Sequence, residues 1–188
     1  TTEPRRQKQI WSVGEPDGNQ LWFPGNFDNT DFRTTDLYFT IAKPLQAFSN
    51  GALVSTIDNG DGTQTFHWRT SQPHPPHLTS FVAGKYLPVT QEFEDTEIIS
   101  YCYPHEADAT AATAERLPDM MRYYSDITGV KYPYPSYSQI FVQEFAGWQG
   151  NMMTSTITEN MVDDWVTHKD FRWLWDIVES VALASLWF

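Results

Sequence analysis

Five histidines, one cysteine and 24 acidic residues carry the side chains able to bind a metal ion or move a proton in this 188-residue chain. His74 and His77 lie in the run Gln72-Pro73-His74-Pro75-Pro76-His77. Two imidazoles so close in sequence grip one cation only when a regular element fixes them on one face, and a Pro-rich link supplies none. The pair therefore reads as exposed loop polarity. His105, Glu106 and Asp108 form a second ligand-like group, read as the first turn of a helix, where acidic side chains oppose the positive end of the backbone dipole. Asp163, Asp164 and His168 form a third, without another spaced ligand, and read as a solvated connector. Ser155, Ser180 and Ser185 carry hydroxyls of the type used for nucleophilic attack, yet no G-x-S-x-G elbow or paired His and Asp pattern surrounds them. No H-E-x-x-H or H-x-x-x-H occurs, the spacing that sets two zinc-binding imidazoles on one helix face.

The elements that would position any site change character near Thr90. Before it, Leu37–Ile41 and Ala52–Ile57 have strand composition, and Asp58-Asn59-Gly60-Asp61-Gly62-Thr63 is a hairpin turn leading into Gln64–Trp68. A further strand is expected over Leu78–Tyr86, after the Pro-rich link. Beyond Thr90, Ile98–Tyr103 predicts a strand, and Ala107, Ala111, Ala114, Leu117, Met121 and Tyr124 recur at helical spacing over Glu106–Thr128. Pro118 should split that helix and Gly129 should close it. Strands are expected over Gln139–Phe145 and Met152–Thr158, with Ala146–Asn151 as the loop between them. A last helix is expected from near Asp170 to the end of the sequence, where Ser185-Leu186-Trp187-Phe188 offers no cap or stop. Trp165, Trp173 and Trp175 near the end of the sequence predict a face covered by further chain or by a partner.

The net charge of −12 argues against a nucleic-acid backbone as partner, because that needs a basic footprint. An acidic surface suits cationic groups such as a peptide α-amine. Cys102, the single cysteine, excludes an intrachain disulfide and leaves the compartment open. No run of about 18 apolar residues predicts membrane insertion, and Thr1-Thr2-Glu3-Pro4-Arg5-Arg6 has no apolar segment behind it.

Several strings then fall in one order. Gln9-Ile10-Trp11-Ser12-Val13-Gly14-Glu15 precedes Leu21-Trp22-Phe23-Pro24-Gly25; Ser49-Asn50-Gly51 precedes Leu53-Val54-Ser55 and Phe66-His67-Trp68; Val130-Lys131-Tyr132-Pro133-Tyr134-Pro135 follows with Tyr137. With these, the chain resembles the zinc aminopeptidases of the membrane-alanyl-aminopeptidase and leukotriene-hydrolase family, the gluzincin aminopeptidases, over nearly its whole length. The resemblance implies an α+β chain in two parts. Residues 1–95 would be the later part of an N-terminal antiparallel β domain, sandwich- or saddle-like. Residues 96–188 would open a thermolysin-like α/β peptidase domain that breaks off inside its zinc helix.

The same resemblance implies two motifs, and both are altered here. In Val181-Ala182-Leu183-Ala184-Ser185-Leu186-Trp187-Phe188, similar to H-E-L-A-H-Q-W-F, Val181 and Ser185 stand for the two His ligands and Ala182 for the general-base Glu. In Gly147-Trp148-Gln149-Gly150-Asn151, similar to the amine-binding loop G-x-M-E-N, Gly150 stands where the amine-binding Glu belongs, with Glu144 as a neighbouring alternative. Active relatives use zinc, which lowers the pKa of bound water from about 15.7 to about 7. Val and Ala donate no lone pair and a Ser hydroxyl is a poor zinc ligand, so no cofactor is expected here. The expected protein is a pseudopeptidase with a scaffold or peptide-binding role toward peptides or protein N-termini. The alternative is an active zinc aminopeptidase whose site is completed by chain not present here, or by other ligands such as Glu144 or Glu179 with His168.

Overall fold

The structure, a computed structural model, describes residues 7–187, and these group into an N-terminal unit ending at Lys85 and a C-terminal unit beginning at Tyr86. In the N-terminal unit the strands are β1 (Ile10–Trp11), β2 (Asp36–Ala42), β3 (Gln46–Ser49), β4 (Ala52–Asp58), β5 (Thr63–Arg69) and β6 (Phe81–Gly84). They form two antiparallel three-stranded sheets, ordered β2-β5-β4 and β1-β6-β3. Strict alternation of exposed and half-buried residues along β2 sets Leu37, Phe39 and Ile41 on the inner face. Phe39 of β2 stacks on Phe81 of β6 with centroids 5.3 Å apart, and Trp68 Nε1 of β5 donates to Ala47 O of β3 at 2.9 Å, so the two sheets face each other.

The expected hairpin joins β4 to β5. Gly60 and Gly62 take φ of +76° and +89°, and Asp58 Oδ1 and Asp61 Oδ1 accept from the amides of Gly60 and Thr63. The strand expected over Leu78–Tyr86 is shorter: Pro76–Leu78 makes a 3₁₀ turn and pairing begins only at Phe81. Ser49-Asn50-Gly51 is explained by packing. Buried Asn50 accepts from Ser80 N and donates to Leu78 O, while Gly51, at φ +84°, lies so close to Arg69 O that a Cβ would stand 2.1 Å from it.

The C-terminal unit contains β7 (Leu87–Phe93), β8 (Thr96–Cys102), α1 (Ala107–Thr113), α2 (Leu117–Thr128), β9 (Ser136–Val142), β10 (Trp148–Asn151), β11 (Thr154–Thr158) and α3 (Trp165–Ala184). Its five-stranded sheet is ordered β10-β11-β9-β8-β7. The central pairs β11/β9 and β9/β8 are parallel and the outer pairs antiparallel. β7 pairs with β8 along its whole length, which groups residues from Tyr86 onward with this sheet although the composition shifts later. Pro118 sits in the first turn of α2, where a missing N–H costs nothing, and Gly129 ends the helix at φ +69°. One face of the sheet is lined by Ile98, Ser100 and Cys102 of β8, Tyr137, Gln139 and Phe141 of β9, and Ser155 and Ile157 of β11. On α3, Val178, Glu179, Ala182 and Leu183 are buried; Val178 packs with Cys102, Phe141 and Ile157, and Leu183 with Ile98 and Tyr137. The architecture is thus mixed α+β, with mostly antiparallel sheets.

Two expectations are corrected. Residues 148–151, expected in a loop, form strand β10, because Trp148–Asn151 pairs in antiparallel register with Ile157–Thr154. The last helix begins at Trp165 rather than near Asp170, because Asp164 Oδ1 accepts from the amides of Val166 and Thr167 at 2.8 and 2.9 Å and so caps it. It ends at Ala184, with Ser185 as its C-cap residue and Leu186 and Trp187 in a turn; Phe188 lies outside the described residues.

Candidate functional site

The residues that the resemblance matches to the two motifs lie on or next to α3 and β10, and these two elements are in contact. Four positions apart on a helix means one face, and Val181 and Ser185 are both exposed, Val181 at 49%. Ala182 points the other way and is buried at 2%. Ser185 Oγ donates to the Ala182 carbonyl at 2.9 Å, a bond back into its own helix. These side chains do not fit zinc: two are aliphatic and the third is a hydroxyl bonded to the backbone, where the resemblance would place two imidazoles and a carboxylate. Among the described residues, no three His, Cys, Asp or Glu side chains converge to hold a metal ion.

β10 lies at one end of the sheet order. Gly147 enters it at φ +107°, a backbone region suited to glycine. Gln149 and Asn151, two apart on the strand and both buried, join side chain to side chain, Gln149 Nε2 donating to Asn151 Oδ1 at 2.8 Å. Trp148 faces the other way and is 42% exposed. Gly150 has its Cα face against α3, where a Cβ would meet Ser185 Oγ at 2.9 Å and the Ala182 carbonyl at 3.4 Å. The position that the resemblance assigns to an amine-binding Glu therefore abuts two of the three positions assigned to the metal site. Glu144, the alternative anchor, lies beyond the end of β9 in a turn, at φ +60°, and not on the strand.

The other ligand-like groups are dispersed by the fold. His74 is buried rather than exposed, with Nε2 3.1 Å from Thr79 Oγ1 and Nδ1 3.2 Å from Gln72 O, and burial lowers its pKa. His77 turns to Asn29 Oδ1 at 2.9 Å, so the two imidazoles serve different segments. Asp163, Asp164 and His168 do not form a solvated connector. Asp163 accepts from Trp175 Nε1, Asp164 caps α3, and His168 is buried on the first turns of that helix. Glu106 precedes the first residue of α1 and Asp108 lies in its first turn; burial raises the Glu106 carboxyl, partly offset by His105. Ser155 Oγ accepts from Tyr137 at 2.9 Å, and Ser180 Oγ donates to Ile177 O.

One chemically notable group enters the sequence reading only as an alternative metal ligand, not as a buried acid. Glu179 is fully buried beneath α3, and burial, with the nearby Asp176 charge, raises its pKa to about 8, against an opposing hydrogen bond from Gln139. Helical spacing carried the signal: Glu179 shares a face with Ala182, Leu183 and Leu186, an apolar stripe in which a carboxylate is out of place.

Fold and site together define a mixed α+β chain in which Val181, Ala182 and Ser185, at the end of α3, offer neither imidazole nor carboxylate. Its relatives carry a transcription name. The chain is 25% identical over 140 residues to "Transcription initiation factor TFIID subunit 2" of Gallus gallus, covering 74% of this chain and 12% of that protein. Identity and coverage are the same for the Danio rerio protein of that name. For the Drosophila melanogaster protein, identity is 28% over 127 residues, covering 67% of this chain and 10% of that one. The chain thus spans about 12% of the length of the vertebrate relatives it matches. No protein-family model matches it.

Proposed function

We propose that this chain is part of a catalytically inactive, aminopeptidase-like scaffold that works through protein contacts in a transcription-initiation assembly. Its N-terminal unit would be the later part of the family's β domain and its C-terminal unit the opening of a thermolysin-like domain. The observation that carries the reading is the packing of Gly150 against Ser185 and Ala182, which brings both altered motifs into one place with neither metal donors nor an amine anchor. Without a Lewis acid there is neither a polarised carbonyl nor a competent hydroxide at neutral pH. The relatives' name supports the assembly, and exposed Trp173, Ile177 and Val181 on α3 support contact with another subunit. A retained affinity for peptides or protein N-termini would use β10, the sheet's end strand.

The test is made on the full-length protein. Affinity purification from its own cells should recover other subunits of the initiation factor, and the purified protein should carry substoichiometric zinc and leave alanyl and leucyl amides intact. One zinc per chain, with hydrolysis abolished by a chelator, would overturn the reading. Fluorescence titration with short peptides, before and after Trp148→Ala, examines the peptide-binding part separately.

A further inference from the structure

Between the two apolar clusters beneath α3 lies a strip of polar side chains sealed from solvent. Ser100 of β8, Gln139 of β9, Ser155 of β11 and Glu179 of α3 are each at most 1% exposed. Gln139 Nε2 donates to Ser100 Oγ and to Glu179 Oε1, both at 2.9 Å. Those two bonds use both amide protons, and they leave Gln139 Oε1 and Glu179 Oε2 buried without a partner. An ionised carboxylate there would set a full charge, held by one hydrogen bond, in a site sealed from water. A protonated Glu179 would have a donor to offer, and the amide of Gln139, already bonded to Glu179 Oε1, has an acceptor unmet.

Among the described residues, no cation acts on Glu179. On α3 itself, Asp176 disfavours a second negative charge and is turned toward Arg116 and Arg172. From β9, Tyr137 is held neutral by burial and gives its proton to Ser155. The ionisable groups of the neighbouring helices lie outward: Asp108 on α1 is exposed, and on α2 Asp119 pairs with Arg122, Asp126 is exposed and Tyr124 donates to Ser180 O. On the sheet, Glu97 of β8 and Glu92 of β7 are exposed, and β10 and β11 contain no ionisable side chain.

We propose that Glu179 stands as a neutral carboxylic acid, closing a two-bond ring with the Gln139 amide, and that this pair is a proton-dependent latch holding α3 on the sheet. The inference is independent of the transcriptional reading. In an unfolded or detached helix the carboxyl returns to its ordinary value of 4.5, whereas in place it is raised to about 8. A raised value means stabilisation that is complete below about pH 4.5 and is lost as pH climbs through about 8. Across that window the opening constant of α3 rises up to about tenfold per pH unit, then levels off.

Hydrogen exchange of the α3 amides, corrected for intrinsic rates, tests the latch in the wild type and in Glu179→Gln between about pH 5 and about pH 9. Glutamine offers an amide in place of the acid and pairs with Gln139 at any pH. The expected result is an opening constant that climbs toward tenfold per unit in the wild type and stays flat in the variant. A flat wild-type profile, or an equal slope in both proteins, overturns the proposal. Infrared difference spectra of the wild type alone give a second readout that needs no variant. A buried protonated-carboxyl band at pH 6 that fades toward pH 9 supports it, and a carboxylate signature already complete at pH 6 overturns it.

Discussion

Gly150 and Ser185 are mutually constrained: a methyl group added to Gly150 would stand 2.9 Å from Ser185 Oγ, with the Ala182 carbonyl 3.4 Å away. The first contact is closer than packed atoms allow, so the Ser185 hydroxyl would have to turn or α3 to shift, and the second lies at the edge of ordinary contact. Gly150→Ala is expected to destabilise the C-terminal unit by about 1–3 kcal/mol, the usual cost of overpacking. Ser185→Ala removes the nearer atom and should recover part of that loss. Urea unfolding of both single variants and the double variant gives a coupling of at least ~0.5 kcal/mol. Strictly additive values would show that the two positions are independent.

Val181 and Ser185 share an exposed face of the last turns of α3, which makes that face convertible. Val181→His with Ser185→His should create a two-imidazole site that binds zinc and stabilises the protein by about 2.7 kcal/mol at zinc 100-fold above its Kd. The wild type should show no such shift. The variant should remain inactive on alanyl amides, because Ala182 supplies no general base and Gly150 no amine anchor. Thermal unfolding with and without zinc, beside a hydrolysis assay, checks both halves.

The elements legible in the sequence were those with a local cause. The β4–β5 turn was marked by Gly60 and Gly62, the α1–α2 break by Pro118, and the end of α2 by Gly129. β10 was missed because Trp148-Gln149-Gly150-Asn151 has poor strand composition; only its pairing partner Thr154–Ile157 makes it a strand. His74 and His168 were misread for a related reason: two polar rings in polar neighbourhoods are buried by packing from segments distant in sequence. The two strings that the resemblance matches to motifs stand residue by residue in the sequence. Their adjacency does not, since nothing in the two strings specifies that Gly150 meets Ser185.

His74 gives the N-terminal unit an acid-side weakness. Burial lowers its pKa below 6.5, aided by His77 and opposed by the bond to Gln72 O. A depressed value means the neutral ring contributes stability above about pH 6.5, and that contribution is lost as pH falls through the lowered value. Asp28, Asp36, Asp58 and Asp61 are also depressed, from an ordinary value of 3.8, so they act at lower pH and leave a window to His74. Exchange protection of β6 and the Pro76–Leu78 turn should decline between about pH 6.5 and about pH 4.5 in the wild type and less in His74→Gln. Equal declines would show that His74 does not cause the weakness.

Cys102 provides an internal reporter for the C-terminal unit. Its side chain is sealed in the cluster with Phe141, Ile157 and Val178, its Sγ faces Leu87 O at 3.7 Å, and burial raises its pKa. Thiolate, not thiol, attacks disulfide reagents, so both access and ionisation restrain it. Labelling of the native protein at neutral pH should be slower than that of the urea-unfolded chain by ~100-fold or more, because it requires opening of the β7–β8 pair or of the covering helix. Gly150→Ala should accelerate labelling if the strain it introduces lifts α3, and Ser185→Ala in the same chain should slow it again. Labelling as fast as in the unfolded chain would show that the cluster is not closed over the thiol.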